Sequence, residues 1–147
     1  MIPAILAVGG ALLLVAALIL LLKRRIRDAM SEMESRYPSH ARLLTAPMAN
    51  FFGQSSRGMK QVRGNGILIL TEHSIVFRML LPSRELSIPL ESVTSMDTPK
   101  SFLGKTKGRR LLKVSFTGQD GRPDSAAWMV GDPDKWVETI GKNAGQV

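Results

Sequence analysis

The chain has 147 residues, 44% of them hydrophobic and 22% charged, with 20 Lys and Arg against 12 Asp and Glu and a formal net charge of +8. That length suits one ordinary domain plus a short appendage, and the composition is that of a globular chain rather than a disordered one. With no cysteine and only His40 and His73, disulfides, thiolate zinc sites and cysteine nucleophiles are excluded, and little remains for a transition-metal site.

Residues 2–22, "IPAILAVGGALLLVAALILLL", carry no charge and no strongly polar side chain. As a helix they would span roughly 30 Å, the thickness of a bilayer's hydrocarbon core. Pro3 falls in the first turn, where its missing N–H has no partner to lose, and Gly9 and Gly10 are tolerated in lipid. A cleaved signal peptide would begin with basic residues, carry a shorter apolar segment and end in small residues. Here the apolar run is followed at once by Lys23, Arg24, Arg25 and Arg27. These four are the juxtamembrane orientation residues. They predict residues 1–22 as a transmembrane helix, single-pass in the cell membrane, with the N-terminus outside and the C-terminal domain cytoplasmic.

Residues 23–47 read as a juxtamembrane helix and linker. Ile26, Met30, Met33 and Tyr37 fall at i, i+4, i+7 and i+11, on one side of a helix that Pro38 would end. The stripe either rests on the chain's own domain, the commoner outcome at this length, or forms a dimer seam. Arg24 and Asp28 are spaced for an i,i+4 pair worth only about 0.3 kcal/mol when exposed.

From about Ala49 the period changes to that of strands. "GILIL" (66–70) and "SIVFRMLL" (74–81) read as a hairpin joined by the polar "TEHS". "ELSIPL" alternates, with Leu86, Ile88 and Leu90 on one face, and Pro89 belongs at a strand end or edge. "LLKVSF" places Leu112, Val114 and Phe116 together, and "SAAWMV" forms the last strand with Trp128. In "GDPDKWVETIGKNAGQV", Asp132 is a helix N-cap, Pro133 takes the first position, and Trp136, Val137 and Ile140 make a buried stripe that ends near Gly145. The fold class is therefore an N-terminal transmembrane α-helix plus a mainly β domain, an antiparallel sheet or barrel capped by a C-terminal helix.

Taken in order, "GNGILILTEHSIVFRM", "ELSIPLESVTSM", a basic loop, "LLKVSF" and "AAWMVGDPDKWVETI" resemble the pleckstrin-homology superfamily, and within it the GRAM-type and bacterial PH-like domains. The carriers are Gly66, Leu70 with Thr71, Phe77, Ile88 with Pro89 and Leu90, and Trp136. The resemblance covers residues 48–143, leaving 144–147 as a tail, and implies a seven-stranded, strongly bent sheet plugged by the C-terminal helix. It transfers no ligand by itself.

Catalysis finds no support in the sequence. No G-x-S-x-G elbow accompanies His73, His40 sits in a linker, and Asp132 with Asp134 suit helix capping. Gly64 and Gly66 match neither dinucleotide nor P-loop spacing and precede a strand, so they are assigned positive φ in a turn or bulge. The chain is expected to be no enzyme and to need no cofactor or metal. Lys100, Lys105, Lys107, Arg109, Arg110 and Lys113 crowd a stretch that contains no acid. They are candidates for contact with anionic lipid or a partner protein, weighed equally against a flexible, solvated hairpin. Nucleic acid is disfavoured by the anchor, by aromatics at 5% and by the lack of a recognition helix. Arg57, Lys60 and Arg63 precede the "GILIL" strand, near where lipid-binding family members place basic contacts, without forming a dense motif. The expected function is a membrane-anchored cytoplasmic module that docks a protein partner or the anionic headgroups of its own bilayer, with homo-oligomerisation in a membrane complex as the alternative.

Overall fold

A computed structural model describes residues 1–145; of the tail at 144–147, Gln146 and Val147 lie outside the described residues. The chain opens with α1 (Ile2–Arg36), a single unbroken helix of 35 residues. An 18-residue window within it has mean hydropathy 3.0, is 0% buried by the rest of the protein, and is long and apolar enough to cross a membrane. Nothing marks a joint between this segment and the basic turns that follow. The helix stops where Pro38 excludes further turns, with the Tyr37 N–H donating to the Met33 carbonyl at 2.9 Å.

Among the described residues nine strands follow: β1 (Leu44–Gln54), β2 (Asn65–Leu70), β3 (Ser74–Met79), β4 (Arg84–Pro89), β5 (Val93–Asp97), β6 (Ser101–Phe102), β7 (Lys105–Thr106), β8 (Leu112–Thr117) and β9 (Pro123–Met129), then α2 (Pro133–Asn143). Seven of them make one antiparallel sheet in the order β4-β3-β2-β1-β9-β8-β5, while β6 and β7 form a separate hairpin. β1 bends the sheet. It pairs with β2 from Leu44 to Asn50 and with β9 from Asn50 to Gln54, with a register break at each stage. Pro89 ends β4, an edge strand, where its missing N–H costs no ladder bond. The sequence boundary at residue 48 falls inside β1, and the linker proposed up to residue 47 already contains the strand's first residues.

Alternation divides the apolar side chains between two faces. Leu68, Leu70, Ile75, Phe77, Met79 and Ile88 point inward with Val114, Phe116, Trp128 and the α2 residues Trp136 and Ile140 to form the main core. At its centre the rings of Phe51, Phe77 and Trp128 meet at centroid distances of 5.0, 5.8 and 5.8 Å. α2 begins as its sequence implies: the Asp132 carboxylate accepts from the Lys135 N–H at 3.1 Å, and Pro133 takes the first helical position.

Ile67, Ile69 and Val76 point the other way, and the basic half of α1 covers them. Met33 is 1% exposed in this second cluster, with Ala29, Met30 and Tyr37 around it. The methionine stripe thus rests on its own domain. This explains why "GILIL" is apolar throughout rather than alternating, since β2 is buried on both faces. Four charges close the seam. The Arg36 guanidinium donates to both Glu85 oxygens at 2.7 and 2.9 Å, and Arg78 pairs with Glu32 at 3.2 Å and approaches Glu85 at 3.7 Å. The hydrogen bonds from Arg36, reinforced by the charges of Arg36 and Arg78, hold the Glu85 carboxyl below its usual range despite partial burial.

The glycines at the start of β2 correct the sequence reading. Neither Gly64 nor Gly66 has positive φ; that conformation occurs at Gly53, Gly58, Gly104, Gly108, Gly121 and Gly145. Gly66 is required by close approach instead. A Cβ there would lie 2.3 Å from the Arg78 carbonyl oxygen and 2.6 Å from the Phe77 ring.

Candidate functional site

The basic stretch 100–113 is not uniformly solvated. β6 and β7 form a tight hairpin whose turn, Leu103 and Gly104, takes positive φ at both positions. Phe102 pins it to the outer face of the sheet, packed with Phe52, Leu111 and Ala127. Several of the charges already have partners. Arg110 pairs with Asp134 of α2, the Lys105 ammonium lies 5.4 Å from the Phe52 ring centroid, and that of Lys113 lies 6.0 Å from the Phe102 ring. Lys100, Lys107 and Arg109 are exposed and lack an ion-pair partner among the described residues. Lys23, Arg24, Arg25 and Arg27 are exposed on α1, and among the described residues only Arg24 meets an acid, Asp28, at 4.0 Å.

A second basic cluster is assembled by the fold. The β1–β2 loop and the β3–β4 loop border an open cleft of about 540 Å³, lined by Arg57, Lys60, Gln61, Val62, Pro82 and Arg84. Arg84 is the pivot. Its guanidinium lies 5.8 Å from the Phe51 ring centroid and donates to the Gln54 side-chain oxygen at 3.0 Å. Burial and the neighbouring Arg57 charge both lower its pKa from the usual arginine value. Among the described residues no acid pairs with Arg57, Lys60 or Arg84. Three like charges are thus held at the cleft without compensation, an arrangement that an incoming anion would relieve. Arg63 plays a different part: it braces the loop by donating to the carbonyls of Phe52 at 2.6 Å and Met59 at 3.1 Å.

The loop that carries Arg57 is fastened at its root. The Asp124 carboxylate on β9 accepts from Gln54 at 2.6 Å, from the Ser55 hydroxyl at 2.8 Å, and from the Ser56 N–H and hydroxyl at 3.0 and 2.8 Å. Gln54 therefore donates to Asp124 and accepts from Arg84, so the acid orients the arginine through an amide without neutralising it. Partial burial acts to raise the Asp124 pKa, but the hydrogen bonds from Gln54, Ser56 and Ser55 outweigh it and hold the carboxyl below its usual range. Gln61 ties the far side of the loop, accepting from the Gln54 N–H and donating to its carbonyl, each at 2.8 Å.

A pH dependence follows from this root. The folded pKa of Asp124 is depressed, so its contribution to stability is complete above the unfolded value near 3.9 and is lost as pH falls through the folded value. Urea unfolding followed by tryptophan fluorescence should show a midpoint that falls below about pH 4. Asp124→Asn should flatten part of that dependence and cost about 1 to 3 kcal/mol at neutral pH. An unchanged profile in the variant would remove Asp124 from the account.

His73 is exposed in the β2–β3 turn, where its N–H donates to the Thr71 hydroxyl at 3.2 Å, and His40 is exposed after α1. Among the described residues no group of three or more His, Asp or Glu side chains is placed to hold a metal.

No protein-family model matches the chain, and no curated protein matches it by sequence. Solved structures do share its fold. The C-terminal domain of an unknown protein from Leishmania infantum superposes with a TM-score of 0.55 at 13% identity, covering 78% of this chain and 96% of that one. A chain of the 8S snRNP assembly intermediate gives 0.52 at 16% identity, covering 74% and 82%. A chain from the complex of human RhoA with the DH/PH fragment of PDZRHOGEF gives 0.50 at 15% identity, covering 79% of this chain and 32% of that one. At such identities the likeness is one of fold.

Proposed function

We propose that this chain is a membrane-anchored, single-pass module with a PH-like domain on the cytoplasmic side, and that it binds anionic lipid headgroups of its own bilayer without catalysing a reaction. The observation that carries the reading is the pair Arg57 and Arg84, held at the mouth of an open cleft with no acid among the described residues to neutralise them. Lipid is favoured over a soluble acidic partner because Pro82, at the cleft's rim, follows Leu81, which lies beside Leu22 and Ile26 of α1. Leu22 ends the apolar run, and Ile26 lies one helical turn beyond it. Lys100, Lys107, Arg109 and the α1 cations Lys23, Arg24, Arg25 and Arg27 would add non-specific attraction to the same surface.

The test uses residues 23–147, which keep the covering half of α1, and vesicles of neutral lipid with and without an anionic component. Each cation near such a surface contributes about 1 kcal/mol, so Arg57→Gln with Arg84→Gln should weaken binding to anionic vesicles by about 30-fold. Neutralising Lys105 and Arg110, which already have partners within the fold, should cost less. Equal binding by parent and double variant, or no preference for anionic vesicles, would sink the proposal.

A further inference from the structure

The structure places a groove of about 230 Å³ between the helix and the domain, lined by Leu22, Ile26, Met48, Asn65, Leu80 and Leu81. Five of the six are apolar, and two of the domain's contributors face solvent in the absence of lipid: Leu81 is 61% exposed and Met48 54%. Large apolar side chains gathered at one rim are uncommon on a water-exposed surface, and here they adjoin a membrane-length helix.

Their height along α1 is fixed by the helix geometry. If residues 2–22 fill the hydrocarbon core, Leu22 sits at its boundary and Ile26 about 6 Å beyond it, within a headgroup layer about 5 to 8 Å deep. The helix has no break between Leu22 and Met33, and Met33 is buried against β2 and β3. The domain therefore has no slack with which to lift Leu80 and Leu81 away from that layer. Lys23 and Arg27 directly follow Leu22 and Ile26 on α1, and Lys60 and Arg84 line the separate cleft that Pro82, next to Leu81, borders; cations so placed suit the phosphate level beside apolar side chains that reach deeper.

We infer that the β3–β4 tip at Leu80 and Leu81, together with Met48, is embedded in the interfacial layer of the bilayer that α1 crosses, and that lipid acyl chain fills the groove beside Leu22 and Ile26. The inference rests on α1 being a retained anchor, and it is independent of lipid charge. It gives the domain a second, apolar attachment and a fixed orientation.

The chain has no cysteine, so a single introduced thiol can be labelled cleanly in the full-length protein. Leu81→Cys, Met48→Cys and, as a reference at the opposite end of β2, the exposed Glu72→Cys would each carry an environment-sensitive fluorophore. Each labelled protein would be reconstituted in vesicles of neutral phosphatidylcholine. Labels at 81 and 48 should emit to the blue of the label at 72, lose most of their intensity to lipids spin-labelled high on the acyl chain, and resist aqueous iodide. If the label at 81 behaves like that at 72 while the protein resists alkaline carbonate extraction, the inference fails and the anchor stands. If carbonate releases the protein, the anchor reading and the inference fail together. Shielding from both quenchers would put protein in the groove, a second copy or a partner, and would also overturn the inference.

Discussion

Gly66→Ala should prevent the domain from folding stably. The new Cβ would stand 2.3 Å from the Arg78 carbonyl oxygen and 2.6 to 2.7 Å from two Phe77 ring atoms. Neither neighbour can yield cheaply: the oxygen belongs to the backbone of β3, and the ring is wedged between Phe51 and Trp128. β2 and β3 would have to part along their shared ladder. The expected loss exceeds about 4 kcal/mol, a large share of the 5 to 15 kcal/mol typical of a whole domain. Gly108→Ala is the informative comparison, since φ there is +70° but nothing lies within 4 Å of the added carbon. It should cost about 1 to 2 kcal/mol. Urea unfolding of both variants in the 23–147 fragment would separate steric approach from backbone conformation. Equal midpoints would mean that the close contact at Gly66 costs no more than the backbone strain at Gly108.

The second large effect is expected at the seam between helix and sheet. Met33 is 1% exposed among Ile67, Ile69 and Val76, so Met33→Ala should cost about 2 to 5 kcal/mol. Met33→Asp should cost more, because a carboxylate would be buried without a partner. Truncation to residues 38–147 removes Met33 together with Glu32 and Arg36. It strips cover from three buried aliphatic side chains and leaves Arg78 and Glu85 without their helix partners. That fragment should aggregate on gel filtration, whereas 23–147 should remain monomeric and unfold cooperatively. A soluble 38–147 fragment with the same urea midpoint as 23–147 would refute the role given to the seam.

Much of this architecture was legible because it depends on patterns local in sequence. Alternation at Leu86 and Ile88 and at Leu112, Val114 and Phe116, and the Asp132–Pro133 cap, need only neighbouring residues to be read. The β5 strand was not legible, and the 100–113 hairpin was legible only as a solvated one, without the anchoring role of Phe102. Val93 to Asp97 carries few apolar residues, and a two-residue strand pinned by the single side chain of Phe102 has no period to detect. The glycine reading at 64 and 66 failed for a related reason, since the obstacles at 66, Arg78 and Phe77, come from another strand. The candidate site was half visible. Arg57 and Lys60 stood out as basic residues before β2, but Arg84 lies on β4, 27 residues after Arg57, and only the folded sheet brings the two together. No short-range signal could have shown that Gln54 and Asp124 aim it.

The uninterrupted helix bears on how strong an interaction at the cleft would need to be. A freely diffusing lipid-binding domain must recruit itself to the membrane, so its affinity has to overcome dilution in the cytoplasm. If α1 is the anchor proposed above, a cleft joined to it without slack would meet headgroups at a local concentration set by geometry, at or above the millimolar range typical of short tethers. Intrinsic contacts as weak as about 4 kcal/mol would then suffice for substantial occupancy. Such a site can exchange lipids rapidly and follow the composition of the patch around it, which a tight, slowly dissociating site could not.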